Sequence, residues 1–211
     1  MELEKLRKEQ ENLSKRLKIK KLNKKIKIFG GCDVYYYKNF GIGAFILMNE
    51  KFEIVEKKFF KDKIDFPYIP GFLSYREIKF LIGAYKKLKV KPDLIFVDGN
   101  GILHPRKFGI ASHLGFFLKK PTIGCAKNLL VGEYEKFELK KGNFSPVIFN
   151  SEVIGYAVCT KDNLKPVFVS PGNLIDFEDS IKYTLIFSKY RIPEPIRIAH
   201  IEAKNYIFKG V

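Results

Sequence analysis

Four ionisable side chains occupy positions where the surrounding pattern favours apolar residues. Asp33 interrupts a strand-like segment, and Asp98 ends a continuous apolar run. Glu77 and His200 fall on the apolar stripes of two helical segments. Three carboxylates and an imidazole from separate elements could form an oxygen-rich site for Mg²⁺ or Mn²⁺. An ion held there would activate water and stabilise charge on a transferring phosphoryl group.

Both aspartates also have ordinary structural interpretations. Asp33 shares a predicted strand face with Phe29 and Tyr35, where an unpaired buried carboxylate would be costly. A turn or strand-edge position for Asp33 explains the sequence equally well. Asp98 precedes Gly99 and could simply begin a turn, although ligands collect at the carboxyl ends of strands in open α/β sheets. Spacing alone does not show that the four side chains converge.

Glu77 and His200, taken by themselves, favour the structural interpretation. Glu77 ends the segment Ser74–Glu77, a capping-box pattern in which its carboxylate would reach back to the first amide of the helix. His200 shares a helical face with Ile196 and Ala203. A lone histidine on such a face is more often a core residue than a metal ligand.

Periodicity predicts the elements that must position these residues, in an α/β chain with a central mixed sheet. The predicted strands cover residues 26–37, 41–48, 52–60, 94–97, 121–125, 147–149, 153–160 and 167–170. The predicted helices cover residues 2–18, 74–88, 109–118, 177–190 and 195–208. The first three strands form a predicted antiparallel meander. The helix between the strands at 94–97 and 121–125 indicates a βαβ unit with parallel strands.

Composition bounds the class of protein. The apolar fraction of 46% is ample for a packed core, and we expect a single domain over residues 1–211. The longest apolar run is too short to span a bilayer, and the N-terminal segment has no apolar signal-peptide core. We therefore expect a cytoplasmic protein that does not bind membranes, and a monomer. Cys32, Cys125 and Cys159 are widely spaced, which predicts buried reduced thiols rather than a zinc site.

The charge balance indicates the kind of partner. A formal net charge of +16 favours a polyanion such as nucleic acid, because each neutralised phosphate releases counterions. A lysine-rich composition bias is the alternative explanation. The basic N-terminal helix could bind duplex flanks or pack on the sheet, and the sequence does not choose between them.

Five segments resemble motifs of the endonuclease V family, in the order in which that family carries them. The segments are residues 67–77 (PYIPGFLSYRE), 98–106 (DGNGILHPR), 121–127 (PTIGCAK), 170–172 (SPG) and 191–197 (RIPEPIR). One such match is a weak signal, whereas five in order are specific and extend the resemblance over nearly the whole chain. Asn173 stands where many members of the family carry histidine, and Asn100 occupies a variable motif position; neither replaces a proposed ligand.

The resemblance implies a ribonuclease-H-like fold, in agreement with the predicted meander and βαβ unit. The implied metal ligands are Asp33, Glu77, Asp98 and His200. This reverses the preference for a structural role at Glu77 and His200, although a capping role for Glu77 can coexist with it. The resemblance also places His104 and Lys127 beside the scissile phosphate, where a lysine can offset developing charge. Without the resemblance, the preferred interpretations would be that His104 stabilises a turn and that Lys127 is a solvated residue at the end of a strand.

The resemblance further implies how a substrate is held and cut. Tyr68, flanked by prolines, is similar to the family's wedge that separates strands around a lesion. The extruded base would enter a pocket near Gly71, Leu73, Gly109 and Ile110, where backbone groups can distinguish hypoxanthine from adenine. The implied reaction is hydrolysis, with Mg²⁺ or substituting Mn²⁺, of the second phosphodiester bond 3′ to inosine. It would leave 3′-hydroxyl and 5′-phosphate ends during repair of double- or single-stranded DNA containing deoxyinosine.

Other functions remain compatible with the sequence. The same chemistry could act on inosine-containing RNA, because a preference for the 2′-hydroxyl is not readable from the residues. A non-catalytic nucleic-acid-binding protein would need only the positive charge. A general structure-specific nuclease would cut undamaged flaps as readily as inosine-containing strands.

Overall fold

The computed structural model describes residues 2–208, which form one eight-stranded sheet flanked by helices. The strands are β1 (Ile28–Tyr37), β2 (Phe40–Asn49), β3 (Ile54–Lys63), β4 (Leu94–Asp98), β5 (Thr122–Ala126), β6 (Phe144–Phe149), β7 (Glu152–Val158) and β8 (Val167–Asn173). The helices are α1 (Glu2–Ser14), α2 (Leu73–Lys86), α3 (Ile110–Leu118), α4 (Phe177–Ile186) and α5 (Glu194–Phe208). The strand order across the sheet is β3-β2-β1-β4-β5-β8-β7-β6.

The predicted meander and βαβ unit are both confirmed. β1 pairs antiparallel with β2, and β2 pairs antiparallel with β3. β4 runs parallel to both β1 and β5, and α3 connects β4 to β5. β8, β7 and β6 extend the sheet in antiparallel fashion beyond β5. The result is the mixed sheet flanked by helices that the ribonuclease-H-like resemblance implies.

β4 is buried on both faces, which explains its uninterrupted apolar sequence. Ile95 and Val97 pack in the cluster that includes residues of α2 and α3. Leu94 and Phe96 pack on the opposite face, in the cluster that includes residues of α4 and α5. β4 therefore cannot shift without disturbing both layers. Its last residue, Asp98, is held at a fixed place at the carboxyl end of this central strand.

Two helices, α1 and α4, end four residues before their predicted ends. α1 ends at Ser14 rather than at residue 18. The reason is that Lys18 is engaged elsewhere: its amide donates to Asn173 Oδ1 at 3.0 Å and its carbonyl accepts from the Leu174 amide at 2.6 Å. The helix predicted at 177–190 ends at Ile186. The other elements begin and end within a few residues of their predicted bounds.

The cysteine prediction is confirmed, since Cys32, Cys125 and Cys159 are all buried and unpaired. Burial raises the pKa of each thiol, so these side chains stay neutral. Among residues 2–208, no helix combines the length and the apolar character needed to cross a membrane.

Helix α5 lies directly on β1 because a glycine occupies the point of contact. A Cβ atom on Gly31 would stand 2.1 Å from the backbone carbonyl carbon of Pro195, which no real Cβ tolerates. The first turn of α5 is therefore seated on the strand itself. The helix then carries His200 to the neighbourhood of Asp33, two residues after Gly31 on the same strand face.

We predict that Gly31→Ala lowers the free energy of unfolding by at least about 2 kcal/mol, because helix and strand must separate to admit the methyl group. Urea denaturation followed by circular dichroism measures this loss. Gly142→Ala is the comparison: its φ is +99° but no atom lies within 4 Å of the added Cβ. It should cost only about 1 kcal/mol from the backbone conformation. Equal losses in the two variants would contradict the close approach of α5.

Candidate active site

Asp33 and Asp98 lie side by side at the end of the parallel strands. The pairing of β1 with β4 ends at Cys32 and Val97, so the two aspartates are the next residues on neighbouring strands. Asp33 is buried, and its Oδ1 accepts a hydrogen bond from the Val34 amide at 2.8 Å. Two carboxylates are therefore brought together by strand register, and the turn or edge interpretation of Asp33 is wrong.

His200 reaches this pair from α5. Its Nδ1 lies 2.7 Å from Asp33 Oδ2, and its side chain is 49% exposed. The hydrogen bond to Asp33 is the main cause that raises the pKa of His200. A half-exposed imidazole paired with a carboxylate is not a core residue, so the structural interpretation of His200 is also wrong.

Glu77 enters from α2, on the other face of the sheet. Its Oε1 accepts a hydrogen bond from the Tyr36 hydroxyl at 2.9 Å. The capping-box prediction is wrong, because α2 begins at Leu73, its N-cap is Phe72, and no side chain caps it. Ser74 therefore lies inside the first turn instead of before it. Burial raises the pKa of Glu77 to about 8, and Asp33 and Asp98 act in the same direction.

Lys127 follows β5 directly and meets Asp98. Its Nζ lies 2.5 Å from Asp98 Oδ2. Burial acts to lower the pKa of Lys127, but the Asp98 carboxylate outweighs it and the pKa is raised. Lys127 is therefore a positive charge paired with Asp98, although its side chain remains 43% exposed.

The chemistry of the donor set fits a divalent cation. Burial and the neighbouring Asp33 raise the pKa of Asp98, as expected where like charges crowd one another. Hard oxygen donors of this kind suit Mg²⁺ or Mn²⁺, which would relieve the repulsion. Each carboxylate is turned toward its own protein partner: Asp33 toward His200, Glu77 toward Tyr36, and Asp98 toward Lys127. In this conformation, no three acidic, imidazole or thiol groups within residues 2–208 stand close enough to hold one ion.

A cavity of about 400 Å³, here called the active-site cavity, opens beside this cluster. Its walls include all four predicted base-pocket residues, the wedge tyrosine and three of the predicted catalytic residues, namely Gly71, Leu73, Gly109, Ile110, Tyr68, Asp98, His104 and Lys127. Tyr68 is 66% exposed and stands at the rim. Residues predicted from distant parts of the sequence are therefore joined in one space.

His104 is engaged at both ring nitrogens. Its Nε2 lies 3.0 Å from the Gly71 carbonyl oxygen, and its Nδ1 accepts from the Arg106 amide at 3.2 Å. Burial, aided by the charge of Arg106, lowers the pKa of His104 to about 4. A neutral ring held in this way fixes the loop that carries Gly71. Its place beside the scissile phosphate stays a prediction.

Gln10 is a site-supporting residue that the sequence interpretation missed. It is fully buried, and its amide nitrogen donates to the carbonyl oxygens of Gly71 at 3.2 Å and Phe108 at 3.1 Å. Its Oε1 accepts from Arg106 Nε at 2.6 Å. Helix α1 thus ties together the two loops that line the cavity. The signal was present, because Gln10 continues the spacing of the α1 apolar stripe, Leu3, Leu6 and Leu13.

Two further polar groups in the cavity wall were not predicted as functional. Ser74 Oγ and Asn100 Oδ1 are buried and have no hydrogen-bond partner within the described chain. Both residues line the active-site cavity. Both atoms are shielded from the cavity space in this conformation, so only a change of side-chain rotamer would bring either one to a bound group.

Comparison with known proteins identifies relatives along nearly the whole chain. The family model described as Endonuclease V matches residues 11–201. The Endonuclease V of Dictyoglomus turgidum is 46% identical over 94% of this chain and 88% of its own, and that of Petrotoga mobilis is 42% identical over 93% and 90%. The crystal structure of Endonuclease V from Streptomyces avermitilis superposes with a TM-score of 0.92 at 33% identity, covering 98% of this chain and 93% of that one. Endonuclease V of Ciona intestinalis, in complex with DNA containing an inosine followed by a ribo-adenosine, superposes at 0.86 with 28% identity, covering 99% and 98%.

We predict that Gln10→Met, which keeps the side-chain volume, lowers the free energy of unfolding by about 1–3 kcal/mol. The substitution leaves the Phe108 carbonyl and the Arg106 Nε without their buried partner. Denaturant titration measures the effect. The neighbouring, exposed Glu11→Met is the control and should change stability by less than about 0.5 kcal/mol. A neutral Gln10→Met would show that α1 does not anchor the loops.

Proposed function

The chain belongs to the endonuclease V family, and from that premise we propose that it is a metal-dependent nuclease that nicks DNA near deoxyinosine. The bond cut is the second phosphodiester 3′ to the inosine, leaving a 3′-hydroxyl and a 5′-phosphate. The observation that supports the proposal is that one cavity is lined both by the proposed base-pocket residues and by Asp98 and Lys127.

Base recognition follows from the cavity wall. Leu73 and Ile110 offer apolar surfaces for the ring of an extruded base. Hypoxanthine differs from adenine by a carbonyl and a ring N–H in place of an amine. The glycines of the wall, Gly71 and Gly109, let the backbone approach the base, and a backbone donor and acceptor can pair with this carbonyl and N–H. Adenine would leave this pairing incomplete, which is a strong basis for discrimination.

Strand separation is assigned to Tyr68. The ring is exposed at the cavity rim, and the prolines at positions 67 and 70 restrict the backbone around it. A rigid aromatic side chain at this place can stack where the base has left the duplex. It therefore offsets part of the cost of extruding the base.

The hydrolysis takes place at the cluster of charged residues around the carboxyl end of β4. Asp33, Glu77, Asp98 and His200 would hold a divalent ion, which supplies activated water and stabilises phosphoryl charge. Lys127 exchanges its contact with Asp98 for a phosphate oxygen and neutralises negative charge as the bond breaks. Tyr36 holds Glu77 in place through its hydroxyl. His104 keeps the Gly71 loop in the position that the base requires.

The direct test is incubation of the protein with a labelled duplex that carries one deoxyinosine, with Mg²⁺ and separately with EDTA. The expected result is one metal-dependent nick at the second phosphodiester 3′ to the lesion. A matched inosine RNA runs alongside, because the relative from Ciona intestinalis was bound to DNA with a ribose after the inosine. An undamaged flap duplex is the control for general nuclease activity.

Each other outcome identifies a rival. Cutting of RNA but not DNA makes inosine RNA the substrate. Equal cutting of the flap indicates a structure-specific nuclease. Tight binding with no cutting of any strand indicates a non-catalytic nucleic-acid-binding protein, and the metal proposal then falls.

We predict that Asp98→Asn lowers the nicking rate by about 10³-fold or more, because it removes a charge from the ion-binding cluster and from the partner of Lys127. Binding to the inosine duplex, measured by fluorescence anisotropy, should remain. Asp162→Asn is the matched control: this aspartate bonds only a backbone amide among the hydrogen bonds of the described chain. Full activity in Asp98→Asn would overturn the assignment.

A further inference from the structure

A second cavity adjoins the active-site cavity and is used by no step of the proposed reaction. Its volume is about 490 Å³, within the range of small-ligand sites, and we call it the loop cavity. Its lining contains no acid among its described residues, but it contains aromatic rings, among them Tyr134 and Phe137, and four cations, which are Lys127, Lys136, Lys165 and Arg191. Lysines and arginine around an aromatic floor are the features of a site for single-stranded nucleic acid.

The wall of the loop cavity is an ordered segment. Residues 127–143 connect β5 to β6 and contain neither helix nor strand, a length that in compact domains usually has a function. Leu129, Tyr134 and Phe137 of this segment pack against the buried cluster that contains Phe168. Backbone hydrogen bonds at 2.8 and 3.0 Å also join Glu133 to Ile148. The floor is therefore preformed.

Arg191 fixes the mouth of the loop cavity. Its Nη2 donates to the carbonyl oxygens of Lys127 at 2.7 Å and Pro166 at 3.0 Å, and its Nε donates to that of Lys165 at 2.9 Å. One guanidinium thus joins the start of the 127–143 segment to the start of β8. It also adds positive charge where a phosphate would enter.

The two cavities meet at Lys127. Lys127, Asn128 and Leu129 line both cavities, whereas the proposed base-pocket residues Gly71 and Ile110 line only the active-site cavity. A strand with its inosine at Gly71 and its cut phosphate at Lys127 continues from there into the loop cavity. This order assigns the loop cavity to the strand on the 3′ side of the cut.

We propose that the loop cavity binds the nucleotide immediately 3′ of the cut bond, the one that carries the new 5′-phosphate. Its base stacks on Phe137, and Lys136 and Lys165 neutralise its phosphates. This inference rests on the proposed function, because the proposed cut position sets which nucleotide lies beyond Lys127.

The test replaces that nucleotide by an abasic tetrahydrofuran residue in a deoxyinosine oligonucleotide. In the unmodified protein, loss of the base should raise KM about tenfold, because stacking of one base is removed. The same replacement at the nucleotide 5′ of the inosine is the control for general loss of bases. The variant Phe137→Leu keeps an apolar floor but removes the ring, so the abasic replacement should cost it much less.

The charge on the rim is tested by the double variant Lys136→Ala and Lys165→Ala. It should raise KM several-fold with kcat unchanged and reduce the salt dependence of binding by about one to two phosphate contacts. The matched control, Lys51→Ala with Lys182→Ala, removes the same charge from exposed positions outside both cavities. Equal changes of KM and of salt dependence in the two double variants would overturn the assignment of Lys136 and Lys165 to phosphate binding.

Equilibrium binding of the uncut oligonucleotides in EDTA separates this inference from the proposed function. Weaker binding of the 3′-abasic strand by the unmodified protein, but not by Phe137→Leu, supports the loop cavity even if no strand is cut. Normal cutting of the inosine strand with no effect of the 3′-abasic residue overturns the loop cavity and leaves the proposed function intact.

Discussion

The crowding of carboxylates at the end of β1 and β4 is the constraint on which the rest of the site depends. Asp33 and Asp98 are adjacent because the parallel pairing stops one residue before each of them. Glu77 joins them from the opposite face, where burial raises its pKa and the two aspartates act in the same direction. Crowded, buried carboxylates of this kind are stable only when positive charges or hydrogen-bond donors lie beside them. α5 supplies His200, and the residue after β5 supplies Lys127.

Close packing of the surrounding elements, rather than long loops, holds β1 and the carboxyl end of β4 in place. Gly31 allows α5 to rest on β1, and β4 is covered on both faces. The wall of the active-site cavity at Gly71 is held differently, by hydrogen bonds from side chains to a backbone carbonyl group. The Gly71 carbonyl oxygen accepts hydrogen bonds from the side chains of Gln10, His104 and Arg106. For the proposed reaction, this rigid strand end would meet the phosphate and the tied loops would meet the base, which is a preorganised arrangement.

Much of this could be predicted from the sequence, and the failures have physical causes. The continuous apolar run before Asp98 is a local pattern and was interpreted correctly as a buried strand, whereas the wedge role of Tyr68 stays a prediction. The neighbourhood of Asp33 and Asp98 depends on strand register, which spacing does not encode. The capping box at Glu77 failed because the N-cap of α2 is Phe72, two residues before Ser74. The loop cavity depends on residues 127–143, which have no periodic pattern to interpret.

The claim that Asp33, Glu77, Asp98 and His200 act as one ion-binding unit is tested most directly by anomalous diffraction. Crystals grown with Mn²⁺ would be measured at a wavelength where manganese scatters anomalously. The account predicts a peak within about 2.5 Å of carboxylate oxygens of Asp33 and Asp98, with Lys127 turned away from Asp98. Saturating Mn²⁺ that gives no peak at this edge, or a peak only elsewhere on the protein, would contradict it.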